Sequence, residues 1–143
     1  MRKESYSKYR AKKCEYDGYT YASKFEAGVA QELDLRLRAG EIKDWERQFK
    51  IECIPYDKNG TPMPDLKVSH KVDFRVHELD GSFTLVEAKG QELSDWQHRR
   101  KWLERVWLPE HPDHTYQVVK DGGSGRGLRW SKQSMKSVNK KWR

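Results

Sequence analysis

Between Ser23 and Ala39, apolar residues return at helical spacing: Phe25, Val29, Leu33 and Leu37 form a stripe, with Ala30 beside it. Ser23 is a good N-cap, Glu26 stands at the N3 position of a capping box, and Gly40 sits where helices commonly terminate. The period then changes to two. From Ile42 to Ile54, the residues Trp45, Arg47, Phe49, Ile51 and Cys53 alternate with Glu46, Gln48, Lys50 and Glu52, which predicts a half-buried strand. The stretch Pro55–Pro64, with Asn59-Gly60, reads as a loop. Lys71–Leu79 and Ser82–Lys89 are two further strands, joined by the hairpin signal Asp80-Gly81.

A second helix is expected from Ser94 to about Leu108, ended by Pro109, with Trp96, Leu103, Val106 and Trp107 inward and His98, Arg99, Arg100 and Lys101 on a basic surface. Thr115–Val119 is the last predicted strand. Ahead of the first helix, Tyr16, Tyr19 and Tyr21 around Asp17-Gly18 suggest a small hairpin. The order is helix, three strands, helix, strand, without an internal repeat. At 143 residues the chain has room for one domain with its own core, but not two.

The pattern divides the chain into a basic arm (1–13), a core (14–119) and a Gly-rich linker with a basic tail (120–143). Charge divides it in the same way. The arm carries six Lys/Arg and one acidic residue, the tail eight and one, and the core 15 basic against 20 acidic residues. Net charges of +5, +7 and −5 result. Basic ends around an acidic middle suit a polyanion whose phosphates the ends would hold; basic tails that only keep the protein soluble are the plainer alternative. An acidic patch in such a protein calls for a reason, and bound divalent cations supply one. No apolar run approaches the roughly 20 residues that span a bilayer, and no apolar signal segment follows Met1-Arg2-Lys3, so neither membrane insertion nor export is expected. Cys14 and Cys53 do not form a CxxC metal motif and are read as two reduced thiols.

The candidate chemistry lies on the predicted hairpin. Glu87 and Lys89 of Glu87-Ala88-Lys89 point to one face, and the tight turn sets Asp73 nearly opposite Glu87. Two facing carboxylates about 5 Å apart repel unless a cation lies between them. Mg²⁺ or Mn²⁺ suits such oxygen ligands, and a lysine beside them can orient a water. Glu26, at the start of the first helix on the edge of its apolar stripe, can reach the same sheet face, although capping alone also explains it. The five histidines (His70, His77, His98, His111, His114) are scattered. His77 reads as a surface residue, and His98 as either a phosphate contact or part of a solvated helix face.

Tyr21-Ala22-Ser23-Lys24-Phe25-Glu26-Ala27, Val72-Asp73-Phe74 and Glu87-Ala88-Lys89-Gly90, in this order, resemble the PD-(D/E)xK nuclease superfamily. The narrower resemblance is to small phage-encoded endonuclease-like proteins related to phage junction-resolving endonucleases and TnsA-type nucleases. It covers about residues 8–119 and implies an α/β fold: a restriction-endonuclease-like αβββαβ core with a mixed central sheet and basic N- and C-terminal extensions. It implies that Asp73 and Glu87 ligate Mg²⁺ or Mn²⁺, that the Ala88 carbonyl completes the shell, that Lys89 positions or activates water, and that Glu26 is the additional helix carboxylate. Val72 stands where the superfamily name expects Pro, and a literal Pro64-Asp65 pair lies eight residues upstream of Asp73. Asp73 is read as the motif aspartate, with Asp65 as the alternative.

The function expected from this resemblance is metal-dependent endonucleolytic hydrolysis of DNA, branched or distorted duplex in particular (Holliday junctions among them), in the cytoplasm of an infected bacterium if the protein is phage-encoded. A homodimer is expected by analogy with junction-resolving relatives. Arg99, Arg100, Lys101 and Arg105 on the second helix, Lys12 and Lys13 in the arm, and Arg126 and Arg129 in the tail are the expected phosphate contacts, interleaved with Tyr6, Tyr9, Trp130 and Trp142. Two other readings compete: a non-catalytic DNA-binding or phage assembly protein on a nuclease scaffold, and a TnsA-like subunit that works only beside a partner.

Overall fold

The computed structural model describes residues 13–89, 94–121 and 127–131. Its first elements are a short hairpin, β1 (Cys14–Tyr16) and β2 (Tyr19–Tyr21), turned by Asp17-Gly18. Helix α1 (Lys24–Arg38) follows directly. Ser23 caps it as expected, its Oγ accepting the Glu26 N–H at 3.0 Å. Gly40, at φ +73°, ends it in the left-handed conformation that a glycine adopts without a Cβ clash.

Five strands form one mixed sheet: β3 (Asp44–Cys53), β4 (Val68–His77), β5 (Phe83–Lys89), β6 (His114–Asp121) and β7 (Leu128–Trp130), side by side in that order. β3, β4 and β5 are antiparallel neighbours. Between β5 and β6 the chain crosses over through α2 (Ser94–Trp102), so those two strands run parallel. The β4–β5 hairpin turns on Leu79-Asp80-Gly81. Glu78 N–H donates to the Ser82 carbonyl at 2.9 Å, and Gly81 takes φ +88°. α1 packs Ala27, Val29, Ala30 and Leu33 on one sheet face with Phe74, Val76, Val86 and Val119. On the other face, Trp96, Leu103, Trp107 and Leu108 pack on Ile51, Val72, Leu85, Tyr116 and Val118. The protein is a mixed α/β fold with one helical layer on each face of the sheet.

Three expectations need correction. β3 does not keep one face: Trp45 packs with the α1 core, whereas Phe49 and Ile51 belong to the opposite core. Gln48, at φ +55°, breaks the alternation between them. Its neighbour turns over at the same level, since Val72 faces the α2 core and Phe74 the α1 core. Nor does the second helix run evenly to Leu108. A π-helical turn, Leu103–Trp107, interposes an extra residue before the one-turn helix α3 (Leu108–Glu110). The inserted residue shifts the phase and leaves Val106 42% exposed instead of inward. Finally, the sheet does not stop at Val119. Leu128–Trp130, assigned from sequence to the linker and tail, pairs with β6 as an edge strand, and Trp130 Nε1 donates to Glu32 on α1 at 3.2 Å. Among the described residues no helix is long and apolar enough to cross a membrane.

Candidate active site at the β4–β5 divergence

The β4–β5 ladder ends at the pair Phe74–Val86. One step further it would set Asp73 opposite Glu87, but the turnover of β4 opens the strands there. Asp73 Oδ2 instead accepts the Ala88 N–H at 2.9 Å. A side-chain oxygen thus satisfies a backbone donor that the ladder leaves over. Burial pushes the Asp73 carboxyl up to about 7, the Glu26 charge adds to this, and the Ala88 hydrogen bond opposes it. Glu87 raises it further while Lys89 lowers it.

Glu87 is 1% exposed, which for a carboxylate demands full compensation. His70 Nε2–H donates to one of its oxygens and Trp96 Nε1–H to the other. Lys89 Nζ stands 3.9 Å from the second oxygen. Burial alone would raise the Glu87 pKa, but the His70 hydrogen bond and charge, together with Lys89 and Trp96, hold it below the ordinary value. Tyr116 lies against the same carboxylate, and its phenol is pushed upward first by burial and then by the Glu87 charge. Its hydroxyl makes no well-aligned hydrogen bond, and neither does His70 Nδ1.

Glu26 completes the group from α1. Burial raises its pKa, opposed by the Ala22 backbone N–H and by the charges of Arg47 and Lys89. The fold brings Asp73 and Lys89 within electrostatic reach of both Glu26 and Glu87, with Glu26 arriving from the α1 side and Glu87 turned to the α2 side. Ala88, expected through its carbonyl, enters through its N–H. Asp65 is exposed in the 3₁₀ turn Pro64–Leu66. His70 was missed, because a lone histidine between Ser69 and Lys71 carries no pattern. Its importance comes from the strand pairing that brings it to Glu87 across 17 positions. His77, read as a surface residue, is bonded to Glu46 at 2.9 Å. Among the described residues, no three His, Cys, Asp or Glu side chains are arranged to hold an ion as they stand; both Glu87 oxygens already accept hydrogen bonds.

A family model described as a protein of unknown function, DUF1064, matches residues 6–132. The chain belongs to the DUF1064 family. No curated protein matches it. The DUF1064 match extends beyond 14–119 and takes in β7, consistent with its place in the sheet.

The basic residues of this DUF1064 member do not form one surface. Arg99, Lys101 and Arg105 are exposed on the α2 side, as is His98, whereas Arg100 turns inward over the rings of Trp96 and Tyr116. Lys13 is exposed ahead of β1, and Arg129 is exposed on β7. Lys12, Arg126, Tyr6, Tyr9 and Trp142 lie outside the described residues.

Proposed function

We propose that this DUF1064 protein is a divalent-metal-dependent endonuclease with a PD-(D/E)xK-type core, acting on DNA. One observation carries the reading: the buried Glu87 and the half-buried Glu26 and Asp73 all lie within reach of one lysine where two strands part. Burial lifts both Glu26 and Asp73, and at Asp73 the charges of Glu26 and Glu87 add to it, a cost that a bound cation would relieve. The succession α1-β3-β4-β5-α2-β6 has the order of a restriction-endonuclease-like core, which supports the same reading.

The donor set is all oxygen, which fits Mg²⁺ or Mn²⁺. Asp73 and Glu87 would hold the ion, with Glu26 as a third carboxylate and the Ala88 carbonyl completing the set. Glu87 would first release His70 or Trp96 from one oxygen. When bound, such a cation stabilises the charge gathering on the phosphoryl oxygens and lowers the pKa of a water. Lys89, directed toward Glu87, is placed to hold the attacking water by donating to it. Trp96 and His70 fix the orientation of Glu87, and the packed Tyr116 ring keeps bulk water from its inner side. A non-catalytic nucleic-acid-binding protein is the second reading. It is favoured by the full engagement of Glu87, which suits a structural carboxylate.

The deciding experiment is a substrate panel (plasmid, four-way junction, flap, single-stranded DNA and RNA) with Mg²⁺ or Mn²⁺. Wild type should cut at least one DNA, and Asp73→Asn and Lys89→Ala should lose about 10²-fold or more in rate. Undiminished cutting by Asp73→Asn would remove the assigned site. Tight DNA binding without cutting under either cation would favour the second reading.

A further inference from the structure

Lys89, Lys120 and Arg129 occupy one rung of three adjacent strands. Lys89 is the registered partner of Lys120 across the parallel β5–β6 pair, and Lys120 is the registered partner of Arg129 across β6–β7. Registered partners share a sheet face, so the three cations stand in a row about 5 Å apart. Like charges placed directly opposite each other destabilise a sheet. Lys89 has Glu87 at 3.9 Å, and Lys120 and Arg129 carry positive charge from it along the rung toward β7. The face is that of α2, because Lys89 Nζ lies 5.5 Å from the Trp96 ring centroid. Arg100 approaches the same ring at the same distance. Beyond it, Arg100, Lys120 and Arg129 line one pocket of about 310 Å³, with Val118, Trp130 and Ser131 as its remaining walls. Glu104 engages Arg100 through Nε at 3.0 Å and holds the guanidinium in place.

We propose that this pocket binds a backbone phosphate of the nucleic-acid strand whose neighbouring phosphodiester lies at Lys89. The cation row sets the direction of the strand: away from the carboxylates, across β6, toward β7. From Lys89 to Arg129 is about 10 Å, two inter-strand spacings. The pocket separates the basic residues by role: Arg100, Lys120 and Arg129 hold the track, whereas Arg99, Lys101 and Arg105 lie outside it. Lys120 belongs to this group only through strand register, having no distinguishing motif in the sequence. The inference rests on the nucleic-acid reading of the site but not on cleavage.

The test is binding of fluorescent single- and double-stranded DNA oligonucleotides in EDTA across a salt series. The proteins are wild type, Lys120→Gln/Arg129→Gln, the charge-preserving Lys120→Arg/Arg129→Lys, and Lys58→Gln as a charge control from an exposed loop. The glutamine pair should reduce the slope of log K against log salt by about two and weaken binding about tenfold or more at low salt. The charge-preserving pair should keep the wild-type slope, and Lys58→Gln should stay within about twofold of wild type. A glutamine pair indistinguishable from Lys58→Gln overturns the proposal. Inorganic phosphate is titrated against the same proteins by thermal shift. Phosphate stabilisation lost in the glutamine pair, with oligonucleotide affinity unchanged, assigns the pocket to a free anion and overturns the backbone assignment. Cutting with Mg²⁺ is scored separately, so a wild type that binds through the pocket yet cuts no DNA overturns the nuclease reading and upholds the pocket.

Discussion

Glu87 is a buried carboxylate and Asp73 a half-buried one, and their surroundings push them in opposite directions. Glu87 has two side-chain donors and a nearby ammonium, while Asp73 has one backbone donor and two acidic neighbours. Only Asp73 therefore lacks compensation. Its folded-state pKa of about 7 lies above the ordinary value of 3.8, so the native state holds the proton more tightly than the unfolded chain. Stability from this group is full below about pH 4 and falls as pH rises toward 7, because ionisation then favours unfolding. Asp73→Asn keeps an oxygen for the Ala88 N–H and removes the charge. In the absence of divalent cations it should be more stable than wild type by roughly 2–4 kcal/mol at pH 8, with the difference vanishing near pH 4. Urea denaturation at both pH values measures it; equal stability at pH 8 would show that Asp73 is compensated after all. A residue that costs stability and is nevertheless placed among other charges is what a cation site requires.

The decisive feature among the elements is the simultaneous turnover of β3 and β4. Arg47 pairs with Phe74 and faces the α1 side, where its guanidinium lies over Tyr21, while Phe49 pairs with Val72 and faces the other. Asp73 and Gln48 occupy the level between these pairs, so the site aspartate lies where the sheet changes face. The left-handed backbone at Gln48 costs about 1 kcal/mol for a residue with a Cβ. Gln48→Gly should stabilise the protein by about 0.5–1 kcal/mol, and Gln48→Val should destabilise it, read as shifts in the urea midpoint at constant slope. Stabilisation by valine would mean that the strand is regular at this point. Period-two reading predicted β3 correctly as an element but placed Trp45 and Phe49 on one face. Alternation carries no sign of a residue that leaves the β region. The π turn escaped for a related reason: a single inserted residue in a helix leaves no sequence mark, and only packing puts Trp107 inward and Val106 outward.

Across the whole molecule, the net charge of +7 and the location of the basic residues have different weights. Total charge would govern approach to a polyanion, while in the proposed track the rung Lys89–Lys120–Arg129 would set where the phosphates lie. β7 joins these levels, because it carries Arg129 and also ties the sheet edge to α1 through Trp130 and Glu32. Ending the chain at Asp121 should lower the thermal midpoint by several degrees relative to a chain ending at Ser131, measured by circular dichroism. Equal midpoints would place β7 outside the cooperative unit.

The order of the helices and central strands, the Ser23 cap, the Asp80-Gly81 turn and the membership of Glu26, Asp73, Glu87 and Lys89 in one group were all legible along the chain. All but the place of Glu26, which follows from α1 packing on the sheet and from the resemblance, depend on local spacing or on a hairpin whose register its turn sets. Tertiary structure alone decided the rest. The His70–Glu87–Trp96 hydrogen bonds, the opening of β4 from β5, and the alignment of Lys120 with Lys89 arise from pairings between distant segments. Such pairings follow from the packing of two cores against one sheet, and no local pattern encodes which residue then faces which.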